Sequence, residues 1–310
     1  MKKPELLVTP KSIEHIKALL SAGADAFVIG EQKFGLRLAG EFSVEQVKEA
    51  TEIIHASGKK VYVAVNVLFH NDRLDDLDEY LKEMQEIGVD ALIFGDPAVL
   101  VAVRELGITI PLHWNPETTA TNWFQANYWG ERGATRAVLA RELSLDEILE
   151  IKENAKPEIE VQVHGMTCMF QSKRKLLGNY FLYRGEAMEI ENRKENKNMF
   201  LHDKDRKNKY PIYEDLNGTH IFSPNDMCLI DELTELFEAG IDSLKFDGVL
   251  QTEEYITIVT SCYRQAIDAY FDSGEEAYED LKDSLLEKIE EIQPKLRPLD
   301  TGFIFKETVY

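Results

Sequence analysis

Ala22-Gly23-Ala24-Asp25-Ala26-Phe27-Val28-Ile29-Gly30 decides the fold, because it returns as Gly88-Val89-Asp90-Ala91-Leu92-Ile93-Phe94-Gly95 and as Ala239-Gly240-Ile241-Asp242-Ser243-Leu244-Lys245-Phe246. Each copy stops a helix at a glycine that supplies a left-handed C-cap, sets an aspartate in a tight turn and enters a short apolar strand. Outward from these three, the same rhythm predicts strands over 5–9, 26–30, 61–66, 91–96, 111–115, 136–140, 160–165 and 243–248. Helical periodicity fills 12–22, 43–57, 74–87, 97–106, 121–132, 144–154, 224–239 and 252–271. Strand and helix in alternation mean a parallel sheet. A doubly wound open sheet would use the same unit, but eight strands close a barrel and no Gly-rich phosphate fingerprint follows the first strand. The expectation is α/β, a (β/α)8 TIM-like barrel.

Between the seventh and eighth strands the rhythm breaks. Residues 169–222 are too long for an ordinary βα connection and too polar for barrel wall, so an insertion is expected at the carboxyl ends of the strands, placed as a lid or docking surface. The barrel with this insertion is assigned to 1–272. Residues 273–310 are assigned to a C-terminal helix and tail packed on it, on the apolar spacing of Leu281, Leu285, Leu286 and Ile289.

The formal charge of −21 opposes solo binding of a nucleic acid over a broad face. The balance reverses only from Phe170 to His220, where eleven Lys and Arg stand against eight Asp and Glu. A solvated insertion is the plain reading of such a run; a local anion site at Lys173-Arg174-Lys175 is the sharper one. Met1-Lys2-Lys3-Pro4 and Pro10 leave no apolar leader, and no run reaches membrane-spanning length, so a cytoplasmic protein is expected. Cys168, Cys228 and Cys262 are too few for a disulfide framework.

In a barrel the polar residues at strand ends converge on one face. Those are Glu31 with Arg37, Asn66, Asp96, His113, Asn115, Arg141 with Glu142, His164, and Lys245 with Asp247. Arg141 and Lys245 among carboxylates and imidazoles are candidates for binding a small anion; a satisfied internal polar network is the alternative. His164 and Cys168 are a candidate base and nucleophile, although no residue completes a triad and a spacing of four suits a helix better than a strand end.

The segments 160–168 (Glu-Val-Gln-Val-His-Gly-Met-Thr-Cys), 222–228 (Phe-Ser-Pro-Asn-Asp-Met-Cys) and 242–248 (Asp-Ser-Leu-Lys-Phe-Asp-Gly), continued by Tyr255 and 263–268, resemble the peptidase U32 (collagenase-like) family, in particular its short bacterial members. The resemblance implies one of two activities. One is oxygen-independent hydroxylation, here of the tRNA wobble uridine to 5-hydroxyuridine with prephenate as hydroxyl source, in a hetero-complex with a longer U32 paralogue that brings the tRNA. The other is peptidase activity. Loss of catalysis, leaving a partner barrel, is a third outcome. Under the resemblance His164, Cys168, Lys245 and Asp247 are the catalytic candidates. Glu31, Arg37, Asn66, His113, Asn115, Arg141 and Glu142 are substrate-binding, and Lys173, Arg174 and Lys175 contact RNA or partner. Several family members carry an iron–sulfur cluster on four cysteines. Here Lys175 stands where the second cysteine is expected and Lys173 where a glycine precedes it, which leaves Cys168 and Cys228; two cysteines do not hold a cluster unaided.

Overall fold

The computed structural model describes residues 2–186, 199–203, 205 and 208–306. The chain alternates through β1 (Glu5–Val8), α1 (Ile13–Ser21), β2 (Ala26–Ile29), α2 (Val44–Ala56), β3 (Lys60–Val65) and α3 (Leu74–Ile87). It continues through β4 (Ala91–Phe94), α4 (Pro97–Leu106), β5 (Leu112–Trp114), α5 (Trp123–Gly130), β6 (Ala134–Val138) and α6 (Leu145–Asn154) to β7 (Glu158–Ser172). After α7 (Leu176–Tyr183) come β8 (Phe200–His202), β9 (Lys209–Asp215), β10 (Gly218–Cys228), α8 (Thr234–Glu238), β11 (Ser243–Asp247), α9 (Glu253–Asp268), α10 (Glu275–Ile292) and β12 (Leu299–Asp300). Strands β1 to β7 pair in order and in parallel, and β11 pairs with both β7 and β1. The eight-stranded (β/α)8 barrel is therefore closed.

The helix starts are built as the sequence implies. Ser12, Ser43, Asp96, Ser144 and Thr252 each accept a backbone amide from the first turn, with reciprocal capping boxes at Ser43/Gln46 and Ser144/Glu147. The repeated turn aspartates do more than turn the chain. Asp25 Oδ2 accepts the Leu6 amide at 3.1 Å, Asp90 Oδ2 the Val61 amide at 2.8 Å and Asp242 Oδ2 the Ile159 amide at 2.8 Å. Each aspartate thereby satisfies the amide of the second residue of the neighbouring strand, at the edge of the parallel ladder.

Inward residues follow the period of two along each strand. At the amino-terminal end Arg136 is buried among Glu5 (2.7 Å), Glu158 (2.8 Å) and Glu160 (3.4 Å), and the Tyr62 hydroxyl donates to Glu5 at 2.6 Å. Above this layer lie Leu7, Ala26, Val28, Ala64, Ala91 and Ile93. Above them the strand ends open to solvent. A larger apolar shell, including Leu6, Val8, Phe27, Ile29, Val63, Phe94 and Phe246, joins the outer barrel surface to the helices.

Two departures from the sequence reading sit in the insertion. The seventh strand does not end at Gly165; it runs on to Ser172 and forms a ribbon with antiparallel β10, whose residues 226–228 face 164–166. The expected helix over 224–239 is accordingly strand as far as Cys228, and only Thr234–Glu238 is helical. An extended β7 edge offers backbone partners that outweigh helical periodicity here. At the other end, Tyr278, Leu285 and Ile289 of α10 are fully buried, and the Tyr278 hydroxyl links the Leu233 amide and Ile230 carbonyl at 3.0 Å each. Asp226 of β10 accepts Gln251 (2.8 Å) and Gln293 (2.9 Å) and lies 3.6 Å from Arg297, which ties the segment after α10 to the ribbon.

Gly165 is the point where β7 leaves the barrel. Its φ is +106°, and a Cβ there would lie 2.1 Å from the Asp247 carbonyl oxygen on β11. Gly165→Ala is therefore expected to destabilise the chain well beyond the roughly 1 kcal/mol of left-handed strain alone. Gly88→Ala, with φ +83° and open space around it, supplies the control that carries only the strain. Urea unfolding of both variants checks this; equal losses would show that the β7–β11 contact is not the tight one.

Candidate functional site at the barrel mouth

The carboxyl ends of the strands frame a small, partly open pocket whose polar lining comes from Thr9, Arg37, Asn66, Asn115, Glu117, Arg141, Lys245 and Asp247. Its centre is Glu117. One carboxylate oxygen pairs with Arg37 and, at 3.1 Å, with Arg141; the other accepts the Asn66 amide at 3.3 Å. Asn115 fixes the same loop by accepting the Glu117 backbone amide at 3.1 Å. Asn66 also accepts the Leu36 amide at 2.9 Å, which positions the loop that carries Arg37. Gln162 of β7 orients Arg141 through its Nε, and Lys245 lies 3.4 Å from Asp247 along β11.

The backbone is strained where these groups meet. Among the described residues the non-glycine positions with positive φ are Arg37 (50°), Glu117 (67°) and Leu250 (57°), two of which are the paired residues themselves. Burial would raise the Glu117 carboxyl, but Arg37, Arg141 and Lys245 outweigh it and hold it down at about 2. Arg37 is likewise kept charged by Glu117 against the cost of burial. Three cations face two carboxylates, Glu117 and Asp247, so the mouth carries one net positive charge inside a chain of formal charge −21. An anion entering here meets an electrostatic well.

Of the candidates read from the sequence, Arg37, Asn66, Asn115, Arg141, Lys245 and Asp247 come together at this mouth. His113 points inward one step below Asn115, edge-on to Tyr62 at 4.6 Å between centroids, and burial beside Arg136 lowers its pKa. Glu31 and Glu142 do not line the mouth. Burial raises the Glu31 carboxyl against the pull of Lys33, and Glu142 faces a separate open cleft with Tyr210 and Phe303. Lys173, Arg174 and Lys175 stand exposed beyond the end of β7. Among the basic residues counted in the insertion, Arg193, Lys194, Lys197, Lys204, Arg206 and Lys207 lie outside the described residues.

His164 and Cys168 are not brought together as base and nucleophile. His164 is fully buried, its Nε2 2.8 Å from the Tyr255 hydroxyl and its Nδ1 3.3 Å from that of Tyr263. Tyr255 donates onward to Gln293 and Tyr263 to the Val163 carbonyl, and the ring is held neutral, its pKa pushed down to about 3 by burial and Arg297. Cys168 packs beside Met166, Tyr213 and Phe222, and burial raises its thiol despite nearby Arg37. A thiol in this state is a poor nucleophile. The four-cysteine cluster does not fit either. Cys168 faces Phe222 in the ladder while Cys228 faces His164, four β7 positions or roughly 13 Å apart. Among the described residues no three His, Cys, Asp or Glu side chains are placed to hold a metal ion.

Glu117 and Gln162 were absent from the sequence candidates. Gln162 continues the inward alternation of Glu160 within β7, and that period was the available signal. Glu117 lies past the end of β5, where a left-handed backbone and not the strand period sets its direction.

Comparison with known proteins places this geometry in context. Residues 11–309 match the model of peptidase family U32. The chain is 62% identical to tRNA hydroxylation protein P2 of Bacillus subtilis over the full length of both, and 35% identical to tRNA hydroxylation protein P1 of the same organism over 87% of this chain and 64% of that one. It is 31% identical to tRNA hydroxylation protein P of Escherichia coli over 86% of this chain and 68% of the relative. Among solved structures, the U32 peptidase Mk0906 superimposes with a TM-score of 0.50 at 12% identity, covering 78% of this chain and 92% of that one, which speaks for the fold alone.

Because the Glu117 carboxyl sits below its ordinary value, the stability it lends is complete above about pH 4.5 and drains away as pH falls toward 2. Glu117→Gln should lose on the order of 3 kcal/mol at pH 7, the range for breaking a buried pair. The gap between variant and wild type should narrow by pH 3. Denaturant unfolding at both pH values tests this, and a pH-independent gap would count against the charged pairing.

Proposed function

The chain belongs to peptidase family U32, and on that premise we propose that it is a component of tRNA uridine 5-hydroxylation rather than a peptidase. The observation that carries this reading is the 62% identity to tRNA hydroxylation protein P2 across every residue of both chains. The site chemistry agrees with it. Peptide hydrolysis needs an activated nucleophile or a metal-bound water. The buried neutral His164 and the raised Cys168 thiol do not make an activated pair, and the described residues offer no metal set.

Hydroxylation without O₂ instead needs another source of oxygen and an acceptor for two electrons, and an organic hydroxyl donor can serve as both. Prephenate, the donor implied by the family resemblance, is a dicarboxylate. Arg141 and Lys245, with Arg37 behind them, would take a carboxylate at the mouth, and Asn66 and Asn115 would orient it. His164 is then a positioning residue, locking β7 to α9 below the site through Tyr255 and Tyr263. The longer P1 relative, matched over 64% of its length, supports a pairing with a longer paralogue in a cytoplasmic modification system. No helix among the described residues is long and apolar enough to cross a membrane.

Nucleoside mass spectrometry of tRNA from a strain that lacks this gene and keeps its longer paralogue is the test. Reintroducing the wild-type gene should restore 5-oxygenated uridines, as should Cys168→Ser, whereas Arg141→Ala and Lys245→Ala should restore tenfold less. Full restoration by both mouth variants would displace the mouth from the reaction, and no restoration by wild type would overturn the reading.

A further inference from the structure

α7 is an unusual helix for an acidic protein. Leu177 and Phe181, four residues apart, pack it onto Ile212 and Ile221 of the β9–β10 sheet. The adjoining stripe at helical spacing, Leu176, Tyr180 and Tyr183, faces water, with the two tyrosines 53% and 90% exposed. The helix start needs no outside anion, because Glu214 accepts the Leu177 and Gly178 amides at 3.0 and 3.3 Å.

Charge surrounds this stripe. Lys173, Arg174, Lys175, Arg184 and Lys209 are all exposed; Lys173 lies 3.9 Å from Asp72 and Arg184 3.6 Å from Glu186, whereas neither Arg174 nor Lys175 has an ion-pair partner among the described residues. Glu214 and Asp215 are buried and hydrogen-bonded inside, so they do not neutralise this face. From Lys173 a shallow groove leads back past Gln171, Arg73 and His70 to Leu36, which also lines the barrel mouth. Arg73 in that groove donates to the Lys33 carbonyl (3.1 Å) and to Asn217 (2.9 Å) and has no carboxylate partner among the described residues. Its position is fixed and its charge uncompensated.

We infer that the α7 face and this groove form the docking surface for a single-stranded RNA loop. Bases stack on Tyr180 and Tyr183, Lys173 to Lys175 and Arg73 contact phosphates, and the strand is led along the groove so that the target base reaches the mouth. Exposed aromatic rings interleaved with cations are what unpaired bases and their backbone require. Loops, whose bases can be splayed, are the part of an RNA that proteins read. The acidity of the rest of the chain confines binding to this face. The inference rests on the tRNA reading above, and names where on this chain that RNA is held.

Fluorescence anisotropy of the full chain with a labelled anticodon stem-loop, and with a duplex of equal length, tests it. Tyr180→Ala/Tyr183→Ala should weaken the stem-loop about tenfold or more and leave the duplex nearly unchanged. Lys173→Glu/Arg174→Glu/Lys175→Glu should weaken both and lower the slope of log affinity against log salt by about 2. Tyr183→Ala alone, at the most exposed position, keeps the test valid should the double variant unfold. Unchanged stem-loop binding in these variants, or wild-type protein that binds no stem-loop at low salt, would overturn the inference. So would a tyrosine variant that keeps RNA but releases a co-purifying protein. Failure is separable from that of the tRNA reading: if the face variants restore tRNA hydroxylation in the deletion strain as fully as wild type, the face is wrong and the reading stands.

Discussion

The pairing of β7 with β11 is the constraint on which the rest depends. It closes the barrel, with Ser243 to Asp247 laid against Glu160 to Gly165, and Asp242 holding the Ile159 amide of β7. The same contact sets Gln162 beside Arg141 and brings Lys245 and Asp247 to the mouth. Directly above it, Gly165 lets β7 leave the barrel against the Asp247 carbonyl, so the ribbon that carries α7 is an outgrowth of the closing strand itself. Mouth and insertion are therefore two ends of one strand, and their relative position is fixed by backbone hydrogen bonds rather than by a flexible hinge.

Electrostatics then divides the barrel interior in two. At the bottom, Arg136 is saturated by Glu5, Glu158 and Glu160, a closed network with nothing left to offer a ligand. At the top, two guanidinia share one carboxylate oxygen of Glu117 while Lys245 stands by with Asp247. The upper network is satisfied only as long as Glu117 stays, and it is held by a left-handed backbone at both Glu117 and Arg37. Polar pairs in strained loops over an aqueous opening are suited to exchange partners with an incoming anion. The bottom network has no such opening and acts as structure.

Much of this was legible in the sequence. The Gly-x-Asp-strand repeat specified helix ends, turns and buried strands together, and the polar residues at and beyond the strand ends included six that line the mouth. Three things were not legible, each for a physical reason. Glu117 sits beyond a strand end, where its direction depends on a left-handed backbone that Pro116-Glu117 does not announce. The helix expected from Pro224 is strand because a long-range partner, the overrunning β7, wins over local periodicity. His164 and Cys168 look like a reactive pair in one dimension, yet they fall on a strand, where residues four apart are separated by roughly 13 Å and the histidine is enclosed by two tyrosines.

The central claim is that the mouth, with Arg37, Arg141 and Lys245 around Glu117, is the working site and takes a carboxylate donor. Isothermal titration calorimetry of prephenate into the purified full chain, beside Arg141→Met and Lys245→Met, tests it most directly. The account predicts saturable binding by wild type that falls at least tenfold in each variant and weakens with added salt. Binding that is indifferent to both substitutions, or absent from the wild-type protein, would contradict it.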